Sequence, residues 1–159
     1  MKIFDDTKGA GIQAETACGD AWFFVAWFIA KVLEIEGIKR FISKIKSNTE
    51  VIYKDQAIKA KDLWEKVTLE LISGRSIKAG AVVVKIKGFK DPLKIVLVEE
   101  LDKCGRAKAR YILVCTDINY SKDKIIEAYK LRWTIECFFR TGKQRFGLDK
   151  FHVRKFNEI

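Results

Sequence analysis

YKLRWTIECFFRTGKQRFGL, residues 129–148, reads as part of one long helix with two unlike sides. At about 100° per residue, Tyr129, Arg132, Glu136 and Lys143 project within about 60° of one another and form a narrow stripe. Ala128, Leu131, Ile135, Phe138 and Phe139 occupy an arc roughly opposite. The expected helix packs that apolar arc on a core and turns the Tyr/Arg/Glu/Lys stripe away from it. Ser121 followed by Asp123 supplies an N-cap and a first-turn acid, and Gly142 a stop, so the predicted helix runs from Ser121 to near Gly142. Two readings of the stripe compete. Arg132 and Glu136, four apart, suit a surface ion pair contributing about 0.2–0.5 kcal/mol. The mixture also suits metal-dependent phosphodiester chemistry, in which a carboxylate holds a divalent cation while Arg, Lys and a tyrosine hydroxyl clamp the backbone.

Working back from the helix, residues 109–115, 93–98 and 81–86 are β-rich runs separated by Gly105, Asp91-Pro92 and Gly88. Residues 51–58, broken by Lys54-Asp55-Gln56, predict a hairpin. Leu63, Val67 and Leu71 at spacing four predict a short helix ending near Gly74. At the front, residues 12–18 predict a strand ending at Gly19-Asp20. Residues 23–36 predict a buried helix stopped by Gly37, and residues 38–45 a second strand. A strand-helix-strand unit with Asp20 at a strand end results.

The 31 Lys+Arg against 21 Asp+Glu leave a net charge of +10, which favours polyanionic partners. Between Lys122 and Lys155 ten Lys/Arg face four Asp/Glu, so the excess concentrates around and beyond the striped helix. A solvated basic surface that serves only solubility is the competing explanation. Cys18, Cys104, Cys115 and Cys137 form no C-x-x-C pair, which argues against zinc and predicts reduced, mostly buried thiols. His152 is the single histidine, which excludes sites needing two. The longest apolar run, residues 21–30, falls short of the roughly 20 residues a membrane helix needs. No signal peptide is expected either, so the predicted location is cytoplasmic, at the nucleoid.

Tyr129-x2-Arg132-x3-Glu136-x6-Lys143, in its Trp-x-Ile-Glu-x-Phe-Phe setting, resembles the Y-R-E-K signature of insertion-sequence DDE transposases. AGIQAETACGDAWFF, residues 10–24, is similar to the segment around that family's second catalytic aspartate, with Ala21 where the family commonly has Ser. The resemblance implies an α/β fold, an incomplete RNase H-like core interrupted by a β-rich insertion. Residues 1–46 would hold part of the core with Asp20, residues 47–108 the insertion, and residues 109–159 a core strand, the Glu136 helix and a basic C-terminal segment. Asp20 and Glu136 would be catalytic carboxylates and metal ligands, for two Mg²⁺ ions or alternatively Mn²⁺. The implied reaction is cleavage and strand transfer at inverted-repeat ends of double-stranded DNA. Tyr129, Arg132 and Lys143, with Arg140, Arg145 and Trp22, would contact that DNA, although Trp22 also fits a place in the core.

The family's first catalytic carboxylate stands on an early strand far upstream of the second. Asp5 and Asp6 lie too near Asp20 to leave room for the intervening strands, and are expected to cap or follow a helix end. The chain is therefore expected to be a truncated copy, weak or inactive alone, that forms a homodimer or pairs with full-length transposase. Two alternatives are a non-catalytic DNA-binding protein that regulates transposition and an RNase H-like nuclease unrelated to it.

Overall fold

The computed structural model describes residues 14–146. In chain order it has strand β1 (Thr16–Gly19), a 3₁₀ turn (Ala21–Phe23), helix α1 (Ala26–Leu33) and strand β2 (Arg40–Lys44). Hairpin strands β3 (Glu50–Tyr53) and β4 (Gln56–Lys59), a 3₁₀ helix (Ala60–Glu65) and the short strand β5 (Glu70–Leu71) follow. Strands β6 (Ile77–Val84), β7 (Leu93–Leu101) and β8 (Ala107–Cys115) then lead to helix α2 (Lys122–Phe146).

One six-stranded sheet runs in the order β1-β2-β8-β7-β6-β5, with β3 and β4 paired separately. β1 and β2 are parallel, as a helical crossover requires, and every other pairing is antiparallel. Of the β-rich middle, β5, β6 and β7 join the sheet that holds β1 and β2, while β3 and β4 form their own pair. The proposed boundary at residue 108 falls inside β8.

β7 shows why the sheet sits in the centre. Ile95, Val96, Leu97 and Val98 are all fully buried, a continuous apolar run of the kind a strand covered on both faces needs. Val96 and Val98 pack with Ile42, Leu113, Ile125, Ile126 and Tyr129 on the α2 face. Ile95 and Leu97 pack with Val51, Leu63, Ile112 and Val114 on the hairpin face. Beside that second layer, Ile29 and Val32 of α1 cover Phe41 of β2. Each fully buried aliphatic side chain contributes roughly 1.5–3 kcal/mol.

Four expectations need correction. The helix predicted over residues 23–36 is a 3₁₀ turn followed by the shorter α1, because Asp20 accepts the Ala21 N–H and Val25 stays extended. The helix predicted around Leu63, Val67 and Leu71 is a 3₁₀ helix ending at Glu65, and Leu71 lies in a strand paired to β6. A Cβ at Gly80 would come 2.5 Å from the Thr68 carbonyl oxygen, so the missing side chain is what lets that segment lie against β6. α2 passes Gly142 and continues to Phe146.

The fourth correction reverses α2. Tyr129 is 6% exposed and Leu131 68% exposed, so the stripe side faces the sheet and the arc containing Leu131 faces outward. The reason lies one turn upstream. Ile125 and Ile126, both fully buried, project at about −40° and +60° from Tyr129, the first within the stripe and the second beside it. The first turns dock through these isoleucines and fix the rotation of everything after them. Ala128 packs at the margin of the same cluster. The side chains of Ile135, Phe138 and Phe139 lie outside the described residues.

Candidate functional site

Asp20 follows the last residue of β1, on an extended backbone that continues the strand's alternation. Cys18, two residues earlier, donates its thiol to the Ala128 carbonyl of α2 at 3.6 Å, so even-numbered residues here face that helix. Glycine at 19 allows the sheet to close beside Asp20, since a Cβ there would meet the Phe41 ring at 2.5 Å. The Asp20 carboxylate caps the 3₁₀ turn, Oδ1 accepting the Ala21 N–H at 2.7 Å.

Arg132 shares a cavity with one candidate carboxylate and is ion-paired to the other. With Cys18, Gly19 and Asp20 it lines a cavity of about 380 Å³ over the end of β1. It also donates to Glu136 Oε1 at 2.6 Å, so the predicted i,i+4 ion pair is present. Unlike a surface pair, this one has its arginine side chain only 18% exposed. Burial disfavours the guanidinium charge, but Tyr129 and Glu136 outweigh it and hold Arg132 more firmly protonated than usual. Burial likewise pushes the Tyr129 hydroxyl up; Arg132 opposes this, and the charges of Asp20 and Glu136 add to it.

Two polar atoms here are buried without a hydrogen-bond partner among the described residues, the Tyr129 hydroxyl and Arg132 Nε. Each unsatisfied group costs about 1–3 kcal/mol, and such atoms gather where a ligand is due to supply the missing bond. Of the two, Arg132 stands on the wall of the Asp20 cavity, where its free Nε–H suits an anionic oxygen.

A divalent cation fits this donor set incompletely. Asp20 and Glu136 offer hard oxygen donors, but one oxygen of each is already engaged, by an N–H and by Arg132. Among the described residues no group of three or more His, Cys, Asp or Glu is close enough to hold a metal ion.

The remaining predicted residues divide. Lys143 lies on α2, but its side chain and those of Arg140 and Arg145 are outside the described residues. Asp5, Asp6 and the basic segment after α2 are outside them as well. Trp22 is not in the core: it is 78% exposed, with Lys46 Nζ 4.9 Å from its ring centroid. The thiols are less buried than expected, since only Cys115 is fully buried and Cys104 is exposed. No described helix is long and apolar enough to cross a membrane.

Lys44 is the residue that sequence reasoning missed. One step beyond the β1/β2 register it comes level with Asp20, and its ammonium sits 4.8 Å and 5.6 Å from the Tyr111 and Tyr129 rings. Alternation from the apolar Ile42 would have put Lys44 on the α2 face, but nothing in the sequence says which face carries the site. Arg40 closes the far end of β2, bonding Asp117 at 3.2 Å and Thr16 at 3.1 Å beneath the Tyr120 ring.

Residues 10–159 match the sequence profile described as the transposase DDE domain. No curated protein matches the chain.

Proposed function

The chain belongs to the transposase DDE domain family, and from that premise we propose that Asp20 and Glu136 are two of its catalytic carboxylates, acting in cleavage and strand transfer at the inverted-repeat ends of double-stranded DNA. The observation that carries this reading is the position of Arg132, which lines the Asp20 cavity while holding Glu136. Asp20 and Arg132, distant in sequence, thereby line one cavity, and the Arg132 Nε there lacks a partner among the described residues.

Each residue then has a task. Tyr129 and Arg132 bind a phosphate oxygen next to the scissile bond, and that bond satisfies the Tyr129 hydroxyl and Arg132 Nε. A phosphate on Arg132 competes with Glu136 for the guanidinium and leaves the carboxylate open. Lys143, Arg140, Arg145 and Trp22 add contacts to the same DNA. Asp20 and Glu136 would be two of the oxygen ligands of a divalent cation such as Mg²⁺, which would supply the polarisation that phosphodiester cleavage needs. Residues 47–108 serve as the β-rich insertion of an RNase H-like core.

The test uses the polypeptide that carries this chain together with the third carboxylate. Nicking of end-bearing DNA in Mg²⁺ or Mn²⁺ is expected to fall about a hundredfold or more in Asp20→Asn and in Glu136→Gln, with DNA binding kept. Normal cleavage by Glu136→Gln would show that this carboxylate is not catalytic.

The ion pair that occupies Glu136 favours a second reading, a DNA-binding regulator without chemistry. That reading requires metal-free DNA binding whose affinity falls steeply with salt, and is lost if no binding occurs at low salt.

A further inference from the structure

Arg132 lines three cavities at once: the one over Asp20, a second of about 310 Å³ between β1 and α2, and a third of about 540 Å³ beyond Tyr129. Space on three sides gives the guanidinium somewhere to turn. What holds it is Glu136, whose Oε1 accepts Nη1 at 2.6 Å, with the Tyr129 ring centroid 5.1 Å from Cζ. The hold is imperfect. It leaves Nε buried without a partner among the described residues, and an unmet buried donor offsets much of what a partly buried ion pair contributes. An arginine keeps its charge at ordinary pH, so what draws it from Glu136 is a second anion on the same guanidinium.

The same contact is why the candidate carboxylates suit a divalent cation incompletely, since a fixed positive charge already occupies Glu136. We propose that the Arg132–Glu136 ion pair is an autoinhibitory contact, which keeps a divalent cation from Glu136 until an oxyanion takes the guanidinium. Oxyanion and cation then bind in concert, each raising the affinity for the other, because coupling between two sites is reciprocal. The inference rests on the reading of Glu136 as a metal ligand. It adds an order of events, oxyanion first and cation second.

Mn²⁺ alone, titrated into the full chain and followed by the loss of its free-ion electron paramagnetic resonance signal, reads the contact without any reaction. Arg132→Gln is expected to tighten Mn²⁺ binding about tenfold. Removing any nearby positive charge also helps a cation, and a double-mutant cycle separates the two effects. In a Glu136→Gln background, Arg132→Gln should change Mn²⁺ affinity less than about twofold. Lys44→Gln, which removes a charge level with Asp20 and leaves the pair intact, should likewise change it less than about twofold. Sodium sulfate, matched in ionic strength with sodium chloride, should tighten Mn²⁺ binding to the unaltered chain about fivefold and lose that effect in Arg132→Gln. The measurement on the unaltered chain keeps the test readable if replacing Arg132 disturbs packing.

Mn²⁺ affinity that Arg132→Gln leaves unchanged, or raises equally with and without Glu136, would overturn the proposal. So would a gain matched by Lys44→Gln, or equal effects of sulfate and chloride on the unaltered chain. The nicking assay stays separate. Lost nicking in Glu136→Gln, with no Mn²⁺ gain in Arg132→Gln, leaves the carboxylate reading standing and removes the inhibitory contact alone. Normal nicking by Glu136→Gln removes the carboxylate reading itself.

Discussion

Adding one methyl group at Gly19 tests the claim that close packing beneath Asp20 sets the position of its carboxylate. The new Cβ would lie 2.5 Å from Phe41 Cζ and 3.2 Å from Phe23 Cβ, distances that van der Waals contact does not allow. The Phe41 ring has little room to retreat, because it is 3% exposed, covered by Ile29 and Val32, and set edge-on to Phe28 at 6.2 Å. Overpacking of this kind costs about 1–3 kcal/mol, offset by the roughly 0.4–1 kcal/mol that alanine gains by restricting the unfolded chain. At the middle of both ranges the expected net loss for Gly19→Ala is about 1.3 kcal/mol, or about 3–5 °C in melting temperature for a chain of this size. Urea unfolding and calorimetry read it. Phe41→Leu supplies the second arm. It should cost about 1 kcal/mol alone, yet partly rescue Gly19→Ala by removing the obstructing ring atoms, with a coupling of about 1 kcal/mol in the double-mutant cycle. An unchanged melting temperature in Gly19→Ala, or strict additivity with Phe41→Leu, would refute the packing argument and its account of where Asp20 is held.

Two further predictions concern local chemistry. Lys54 and Asp55 turn the β3–β4 hairpin with φ of 48° and 61°, a left-handed pair that Asn-Gly adopts at lower cost, so Lys54→Asn with Asp55→Gly should raise the urea midpoint by an amount worth about 0.5–1 kcal/mol. Burial pushes the Cys18 and Cys115 thiols up to about 11, leaving roughly one part in a thousand as thiolate at pH 8. An aromatic disulfide reagent at that pH should label exposed Cys104 at least about a hundred times faster. Cys18 and Cys115 should react about tenfold faster per pH unit until pH reaches about 11, and equal rates at pH 8 would contradict the burial.

The family was legible in the sequence, and so were the helix stripe and the strand end, because spacing along one helix and identity at one strand end are local properties. Tyr129, Arg132 and Glu136 share a stripe wherever the helix is placed, and Gly19-Asp20 ends a strand by short-range chemistry. The strand-helix-strand unit, the hairpin turn and the three long strands likewise follow from alternation and turn residues. Short apolar runs were less secure. Leu71, at helical spacing from Val67, joined a strand because Gly80 leaves space for that segment against β6.

What the sequence could not determine was which way α2 faces. The helix has apolar residues around much of its circumference, so the docking of Ile125 and Ile126 between α2 and the sheet decided the rotation. That rotation buries Tyr129, brings Arg132 to Asp20 and leaves Leu131 exposed. Lys44 joined the site for the same reason. Its neighbours Tyr111 and Tyr129 arrive through strand register and helix packing, which are long-range pairings that no local pattern encodes. The sequence by itself singled out Asp20, Tyr129, Arg132 and Glu136 as candidates. Only tertiary packing decided that Arg132 of the helix stripe and Asp20 at the strand end line one cavity, because burial is a property of the assembled core.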